Sequence, residues 1–179
     1  MQNLKQAIES RLQRLLQQNP LRTNFQQHYE QIIADYNREK DRVTIEQTFE
    51  ALLRFYADLD EEAQRGVREG LDEEALAIFD LLQKPELSAA ESKRIKAVAV
   101  ELLAALKAEK LRIDHWRDKE STRDAVRVAI HDFLYSEQTG LPVELYTDAE
   151  VATKAEALFR HIYWAYPTLP SPYYAETAS

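Results

Sequence analysis

Apolar residues recur at helical spacing along most of this chain, and no strand-like alternation continues for more than a few residues. The pattern predicts an all-α fold of about eight helices followed by a proline-rich C-terminal tail. The predicted apolar stripes are Leu4, Ile8, Leu12 and Leu15; Phe25, Tyr29, Ile32, Ile33 and Tyr36; Ile45, Phe49, Leu52, Leu53 and Tyr56; Leu76, Phe79 and Leu82; Ile95, Val98, Ala99, Leu102, Leu103 and Leu106; Val126, Ile130, Phe133 and Leu134; and Val151, Ala155, Leu158, Phe159 and Ile162.

Capping residues, prolines and glycines set the predicted helix boundaries. The predicted starts are Thr44 with Gln47, Asp60, Asp72, Ser88 with Glu91, and Thr147 with Glu150, and the predicted stops are Asn19-Pro20, Gly70 and Lys84-Pro85. The helix that starts at Ser88 is expected to be the longest and to reach about Arg112. A short linker separates it from the next helix, so the apolar stripe of residues 95–106 should contact that of residues 126–134.

The helix predicted within residues 113–137 changes character along one face. The side that is apolar at residues 126–134 carries Lys119 and Arg123 nearer the N-terminus, with Arg127 beside them. These like charges are spaced i,i+4, which disfavours an isolated helix by a few tenths of a kcal/mol. Two interpretations stay open. The cations form salt bridges with carboxylates of this chain, such as those of residues 41–83, or they form a docking face for a partner protein or a phosphate backbone.

Composition narrows the protein class. The chain has 179 residues with 45% hydrophobic content, which is enough for one or two compact helical units. It contains no cysteine, so disulfides and thiolate metal sites are excluded, and this is compatible with a reducing cytoplasm. No apolar run is long enough to span a bilayer, and no signal peptide follows Met1. We therefore expect a soluble, cytoplasmic protein without membrane contact.

The net charge of −8 is unevenly distributed. Residues 1–40 carry six basic and four acidic groups, and residues 41–83 carry four against twelve. Residues 84–137 carry eleven against ten, and residues 138–179 carry two against five. A free-standing nucleic-acid-binding domain usually has a clear basic excess. Any DNA contact must therefore be local or assisted by a larger assembly.

Catalytic chemistry is difficult to place in this sequence. Its three glycines match neither the GxxxxGK[ST] nor the GxGxxG phosphate-binding pattern, and its four histidines lack metal-ligand spacing. Trp116 and Trp164 could each anchor an interface, although a core or capping role is at least as well supported for both. We assign no catalytic residue, no cofactor-binding residue and no metal ligand.

Several segments resemble the C-terminal helical region of the restriction, or motor, subunit of type I restriction–modification enzymes. They are residues 19–55, NPLRTNFQQHYEQIIADYNREKDRVTIEQTFEALLRF; residues 59–88, LDEEAQRGVREGLDEEALAIFDLLQKPELS; residues 110–134, KLRIDHWRDKESTRDAVRVAIHDFL; and residues 159–167, FRHIYWAYP. The resemblance covers most of the chain in one order with few gaps, although no short motif within it is diagnostic alone.

The resemblance implies that this chain is one part of an ATP-dependent DNA translocase and endonuclease. In that family a metal-dependent nuclease domain and two ATP-hydrolysing helicase-like domains precede the helical region, so ATP and Mg²⁺ belong to the parent subunit. On this basis residues 1–58 are expected to be an N-terminal helical segment linking to the motor. Residues 59–167 should form a C-terminal helical bundle, and residues 168–179 an extended tail.

Two functional hypotheses follow. In the first, this chain is an assembly domain that docks the motor onto the methyltransferase (modification) subunit. It would also contact DNA phosphates, through Lys119, Arg123 and Arg127 with Trp116 nearby. In the second, it is a stand-alone helical adaptor without a nucleic-acid role, and the charged stripe is only structural.

The isolated chain is expected to show neither ATPase nor nuclease activity with magnesium. It lacks a phosphate-binding loop and a recognisable cluster of metal-binding carboxylates, and both reactions depend on such groups. Phosphate release and plasmid cleavage, each measured against a heat-inactivated sample, check this. DNA-stimulated ATP hydrolysis above that control would contradict it.

Overall fold

A computed structural model describes residues 1–38 and 41–174, and within these residues the fold is entirely helical. The helices are α1 Gln2–Gln18, α2 Thr23–Arg38, α3 Arg42–Glu69, α4 Glu73–Leu82, α5 Ala89–Ala108, α6 Glu120–Tyr135 and α7 Asp148–Ala165, and a short 3-10 turn lies at Pro20–Arg22. The all-α prediction is confirmed, with seven α-helices in the described residues instead of about eight.

The difference in number comes from α3, which continues through the predicted start at Asp60. The Asp60 carboxylate caps no helix, because it pairs with the Arg11 guanidinium of α1 at 2.5 Å. At the N-terminus of α3, the Asp41 carboxylate accepts the Thr44 N–H at 2.7 Å, so Asp41 is the cap and not Thr44. The helix ends at Gly70 as predicted, because its φ of 74° is a left-handed conformation that glycine adopts without strain.

The chain divides into two compact units, and the first comprises Met1–Leu71. The boundary predicted between residues 58 and 59 falls inside α3. At the centre of this unit the Phe55 ring lies 5.8 Å from the Tyr29 ring and 5.3 Å from the His28 ring, measured between centroids. The buried apolar residues around it are Ile8, Leu12, Leu15, Tyr29, Ile32, Leu52, Phe55 and Leu59.

The inward face predicted for α3 is partly wrong. Ile45, Phe49 and Leu53 are 39%, 41% and 47% exposed. The buried stripe is instead Thr48, Leu52, Phe55 and Leu59, which lies beside the predicted face on the same helix. Within this unit α3 packs on α1 and α2, and these two helices cover that stripe. The apolar period alone does not say which of two neighbouring stripes is covered.

Arg22 is a buried cation in the first unit, with only 2% of its surface exposed. Its Nε donates to Glu62 Oε1 at 2.9 Å, and its Nη1 donates to the Leu15 carbonyl at 3.2 Å. The guanidinium therefore joins the end of α1 and the 3-10 turn to the second half of α3. Arg65 reaches the same Glu62 carboxylate at 3.0 Å, which leaves Glu62 with two cationic neighbours.

The second unit, Asp72–Ser179, contains α4 to α7. The starts of α4, α5 and α7 agree with the prediction. The Asp72 carboxylate accepts the Ala75 N–H, Ser88 and Glu91 form a reciprocal capping box, and the Thr147 hydroxyl accepts the Glu150 N–H. Eight of the ten residues of α4 are buried, so this helix is covered on all sides by the rest of the unit.

The predicted contact between α5 and α6 is confirmed. The α5 stripe is buried, and so are Val126, Ile130 and Leu134 of the α6 stripe, whereas Phe133 is only half-buried. α5 ends at Ala108, four residues before the predicted Arg112, and α3 with 28 residues is the longest helix described. α5 packs most extensively on α4, and α6 packs most extensively on α7. The α6–α7 pair is the part of the fold that positions the candidate site.

The described part of the C-terminal tail returns to the bundle. Ser171 is buried and its hydroxyl donates to the Ala165 carbonyl, while the Tyr174 ring stacks on Tyr166 with centroids 6.1 Å apart. The tail predicted as extended over residues 168–179 is therefore held against the second unit as far as Tyr174. Its last five residues lie outside the described residues.

Replacing Arg22 by Leu should destabilise the chain by about 3 kcal/mol, because it leaves a largely buried carboxylate and a carbonyl without this donor. Arg54→Leu is the matched control. Arg54 lies 3.6 Å from Glu50, and both side chains are mostly exposed. The control should cost at most about 0.5 kcal/mol. Urea denaturation followed by circular dichroism measures both, and equal losses would contradict the structural role of Arg22.

Candidate functional site

α6 and α7 bury their apolar faces against each other and leave a groove along one flank. α6 buries Val126, Ile130 and Leu134, which are spaced at i, i+4 and i+8. The same helical period places Arg123 and Arg127 one behind the other beside that stripe. α7 supplies the opposite wall through residues 159–164, in its last two turns.

The turn before α6 is fixed to the end of α7 by Trp116. This indole is 1% exposed, and its Nε1 donates to the Tyr166 carbonyl at 2.8 Å. The Thr122 hydroxyl, in the first turn of α6, donates to the Trp116 carbonyl. A continuous set of hydrogen bonds thus runs from α6 through Trp116 to the residue that follows α7.

Arg117 makes a second connection at the same end. Its Nη1 donates to the Tyr163 carbonyl at 2.9 Å, and its guanidinium lies 5.1 Å from the centroid of the Tyr163 ring. Tyr163 is in the last turn of α7, where carbonyls have no partner within the helix and where the helix dipole favours a cation. Arg123 Nη1 donates in turn to the Arg117 carbonyl at 2.7 Å. Arg117 therefore positions an arginine of α6 against the end of α7.

The groove has a volume of about 290 Å³. It is lined by Arg123, Asp124, Arg127, Phe159, Arg160, Tyr163 and Trp164. We call these seven residues the arginine groove. Three guanidinium groups, one carboxylate and three aromatic rings therefore share a small concave surface.

The three arginines differ in how far their charge is balanced. Arg127 lies 3.5 Å from Glu156 Oε1, and its guanidinium is 4.4 Å from the centroid of the Phe159 ring. Glu156 also contacts His131 Nε2 at 3.0 Å. Arg123 is tethered to a carbonyl, and neither it nor Arg160 forms an ion pair with a carboxylate within residues 1–38 and 41–174. The unneutralised positive charge of the groove therefore resides on Arg123 and Arg160.

Trp164 is the exposed aromatic of this site, with 69% of its surface accessible. Its ring meets the Tyr163 ring edge-on at 5.7 Å, and the Tyr163 ring meets buried Trp116 in the same way at 6.1 Å. Edge-to-face aromatic pairs of this kind are attractive beyond the area they bury. The exposed indole thus sits at the end of a row of aromatic rings that begins in the core.

The residues predicted from sequence are only partly brought together. Arg123 and Arg127 line the groove, while exposed Lys119 is the N-cap residue of α6 and is not part of the lining. Trp116 is a core residue, so its indole has no surface with which to contact a partner. Of the two roles left open for each tryptophan, burial favours the core for Trp116 and exposure favours an interface for Trp164.

Within the second unit, the described residues show no ion pair between the cations predicted as site residues and the acidic residues of positions 72–83. Arg127 pairs with Glu156 of α7, and Lys119 and Arg123 have no carboxylate partner there. Sequence reasoning missed Arg160 as a site residue. Its signal was the i,i+4 spacing of Arg160 with Trp164, next to the apolar stripe of the last helix.

The histidines and carboxylates of the described residues form no metal-binding group of three. Burial lowers the pKa of His161 to about 4, so this ring is neutral at pH 7 and adds no charge to α7.

Across residues 1–38 and 41–174, no helix combines the length and the apolar character needed to cross a membrane.

Trp116→Phe should destabilise the chain by about 2–3 kcal/mol, because the Tyr166 carbonyl loses its donor and a small cavity opens in the core. Trp164→Phe, the same change at an exposed position, should alter the free energy of unfolding by less than about 0.5 kcal/mol. Urea denaturation monitored by circular dichroism compares the two. Similar losses in both variants would contradict the different roles of the two tryptophans.

Comparison with known proteins matches residues 1–160 to a family model described as type I restriction enzyme HindI endonuclease subunit-like, C-terminal. The matched range includes all of α1 to α6 and most of α7. No curated protein and no solved structure matches the chain.

Proposed function

Since the chain belongs to the family of C-terminal parts of type I restriction enzyme HindI-like endonuclease subunits, we propose that it is an assembly domain. In this proposal it docks the endonuclease subunit onto the methyltransferase subunit of the same enzyme. Family membership indicates a multi-subunit complex. To this the proposal adds the identity of the partner, which is the methyltransferase subunit, and the surface that contacts it, which is the arginine groove.

The observation that carries the proposal is the composition of the arginine groove. Tryptophan, tyrosine and arginine are the residues most enriched where binding energy concentrates in protein–protein interfaces. Here Trp164 is largely exposed beside Tyr163, Arg123 and Arg160. A large exposed indole in an otherwise well-packed unit is best explained as the anchor of an interface.

Assembly fits the chemistry of the chain better than catalysis does. The described residues offer no group of three metal ligands, and the sequence contains no glycine-rich phosphate loop. In the proposal, ATP, Mg²⁺ and DNA cleavage belong to other parts of the endonuclease subunit. A cytoplasmic location is part of the same proposal.

A contact between DNA phosphates and Lys119, Arg123 and Arg127 is a secondary part of the proposal. The exposed cationic side chains of Lys119 and Arg127 favour it locally. The surrounding charge opposes it, because residues 72–179 carry thirteen basic against nineteen acidic groups, a net charge of −6. The stand-alone adaptor without a restriction partner is the competing function, and the experiment below separates the two.

The test measures binding of the full chain to the methyltransferase subunit of its restriction system, by calorimetry without DNA. The double variant Arg123→Glu/Arg160→Glu should weaken binding by about 100-fold, because it places like charge against like at the interface. Arg127 is left unchanged because it balances Glu156. The double variant should still fold, since neither arginine has a carboxylate partner in the described residues to lose, and loss of the Arg123 hydrogen bond to the Arg117 carbonyl should cost about 1 kcal/mol.

The control is Lys93→Glu/Arg112→Glu, which makes the same change in net charge at exposed positions of the second unit outside the groove. This variant should bind like the parent chain. Absence of binding by the parent chain at micromolar concentration would exclude docking to the methyltransferase subunit. Equal weakening in the control would mean that net charge, and not the groove, is responsible.

A further inference from the structure

Asp124 is an acidic residue in a groove that is otherwise cationic. It is exposed, it follows Arg123 directly, and it precedes Arg127 by one helical turn. Its carboxylate makes no hydrogen bond or ion pair within residues 1–38 and 41–174. The groove therefore presents one unneutralised negative charge between two arginines of the same helix.

Two of the three positive charges in the groove are held in place by the fold. The Arg123 guanidinium is tethered to the Arg117 carbonyl at 2.7 Å, and the Arg127 guanidinium lies on the Phe159 ring beside Glu156. Arg160, on the opposite wall, is exposed. Along α6 the site thus presents a cation, an anion and a second cation in turn, and α7 adds a third cation and the exposed Trp164 ring.

We infer that the arginine groove takes an acidic peptide segment of the partner protein, and this inference rests on the proposed function. Carboxylates of the segment meet Arg123 and Arg160, a basic residue meets Asp124, and an apolar or aromatic side chain packs on Trp164. Guanidinium groups suit this role because their planar donors can match a carboxylate in two parallel hydrogen bonds.

The order of charges favours a peptide over a nucleic acid. A phosphodiester backbone is negative at every repeat, so it would bring phosphates against Asp124 and close to Glu156. A peptide can vary its charge from one residue to the next and so match an anion between two cations. The net charge of −6 on residues 72–179 opposes a long polyanion, whereas at physiological salt it affects a short segment much less, because charges more than about 8 Å away are screened.

The test is Asp124→Asn, which removes the negative charge and keeps the shape of the side chain. For a peptide with a basic residue at this position, the affinity of the full chain for the methyltransferase subunit should fall about tenfold, because that basic residue loses its partner. Asp132→Asn is the matched control. Asp132 is an exposed carboxylate on the same helix, eight residues further on and outside the groove, and this variant should bind like the parent chain.

The same variants are titrated with a fluorescently labelled 20-residue oligothymidylate to test the nucleic-acid alternative. If the groove takes phosphates, Asp124→Asn should bind the oligonucleotide more tightly than the parent chain, and the oligonucleotide should displace the methyltransferase subunit. Either result would overturn the peptide assignment. We expect neither, and we expect Trp164→Ala to weaken protein binding without changing the weak oligonucleotide affinity.

The outcomes separate the two levels of the proposal. If the parent chain binds the methyltransferase subunit and Asp124→Asn binds equally well or better, the acidic-peptide assignment is wrong while the docking function stands. If the parent chain does not bind that subunit, both are wrong. Circular dichroism spectra and melting curves of each variant confirm that any loss of binding is not a loss of folding.

Discussion

The buried hydrogen bond between the Trp116 indole and the Tyr166 carbonyl is the interaction on which the geometry of the second unit depends. It joins the turn that starts α6 to the residue that follows α7, at the end of the pair where the arginine groove lies. Arg117 adds a donor to the Tyr163 carbonyl, and the Thr122 hydroxyl links α6 back to Trp116. A buried polar connection of this kind is stable only when every group in it has a partner, and no buried side-chain nitrogen or oxygen of the described residues lacks one.

The fold class and most helix starts could be predicted from the sequence because they depend on local chemistry. The Ser88 capping box and the left-handed Gly70 each act within a few residues. The face of α3 could not be predicted in the same way. The stripe of Ile45 and the stripe of Leu52 both satisfy the helical period, and only the packing of α1 and α2 decides between them. The helix start predicted at Asp60 was wrong for a related reason, because the Asp60 carboxylate pairs with Arg11, which is distant in the sequence.

The candidate site was predictable on one wall only. Arg123 and Arg127 stand on one helix, so their spacing alone shows that they share a face. Arg160 and Trp164 come from α7 and reach the same groove only through tertiary packing. The two tryptophans show the limit of composition most clearly, because the residue type is the same while Trp116 is 1% exposed and Trp164 is 69% exposed. Only the fold places one in the core and leaves the other exposed.

The contacts that hold guanidinium groups on the α6–α7 pair have a consequence for the proposed docking, because they limit which segments the groove would accept. Arg123 is tethered to the Arg117 carbonyl and Arg127 lies on the Phe159 ring, so the α6 wall of the groove has little capacity to rearrange around a poorly matched segment. A surface of this stiffness discriminates by mismatch, because charges in the wrong order meet repulsion that neither side can relieve. Under the proposed docking function, in a cell with more than one restriction system, such a surface would act against mixed assemblies and keep each endonuclease subunit with its own modification enzyme.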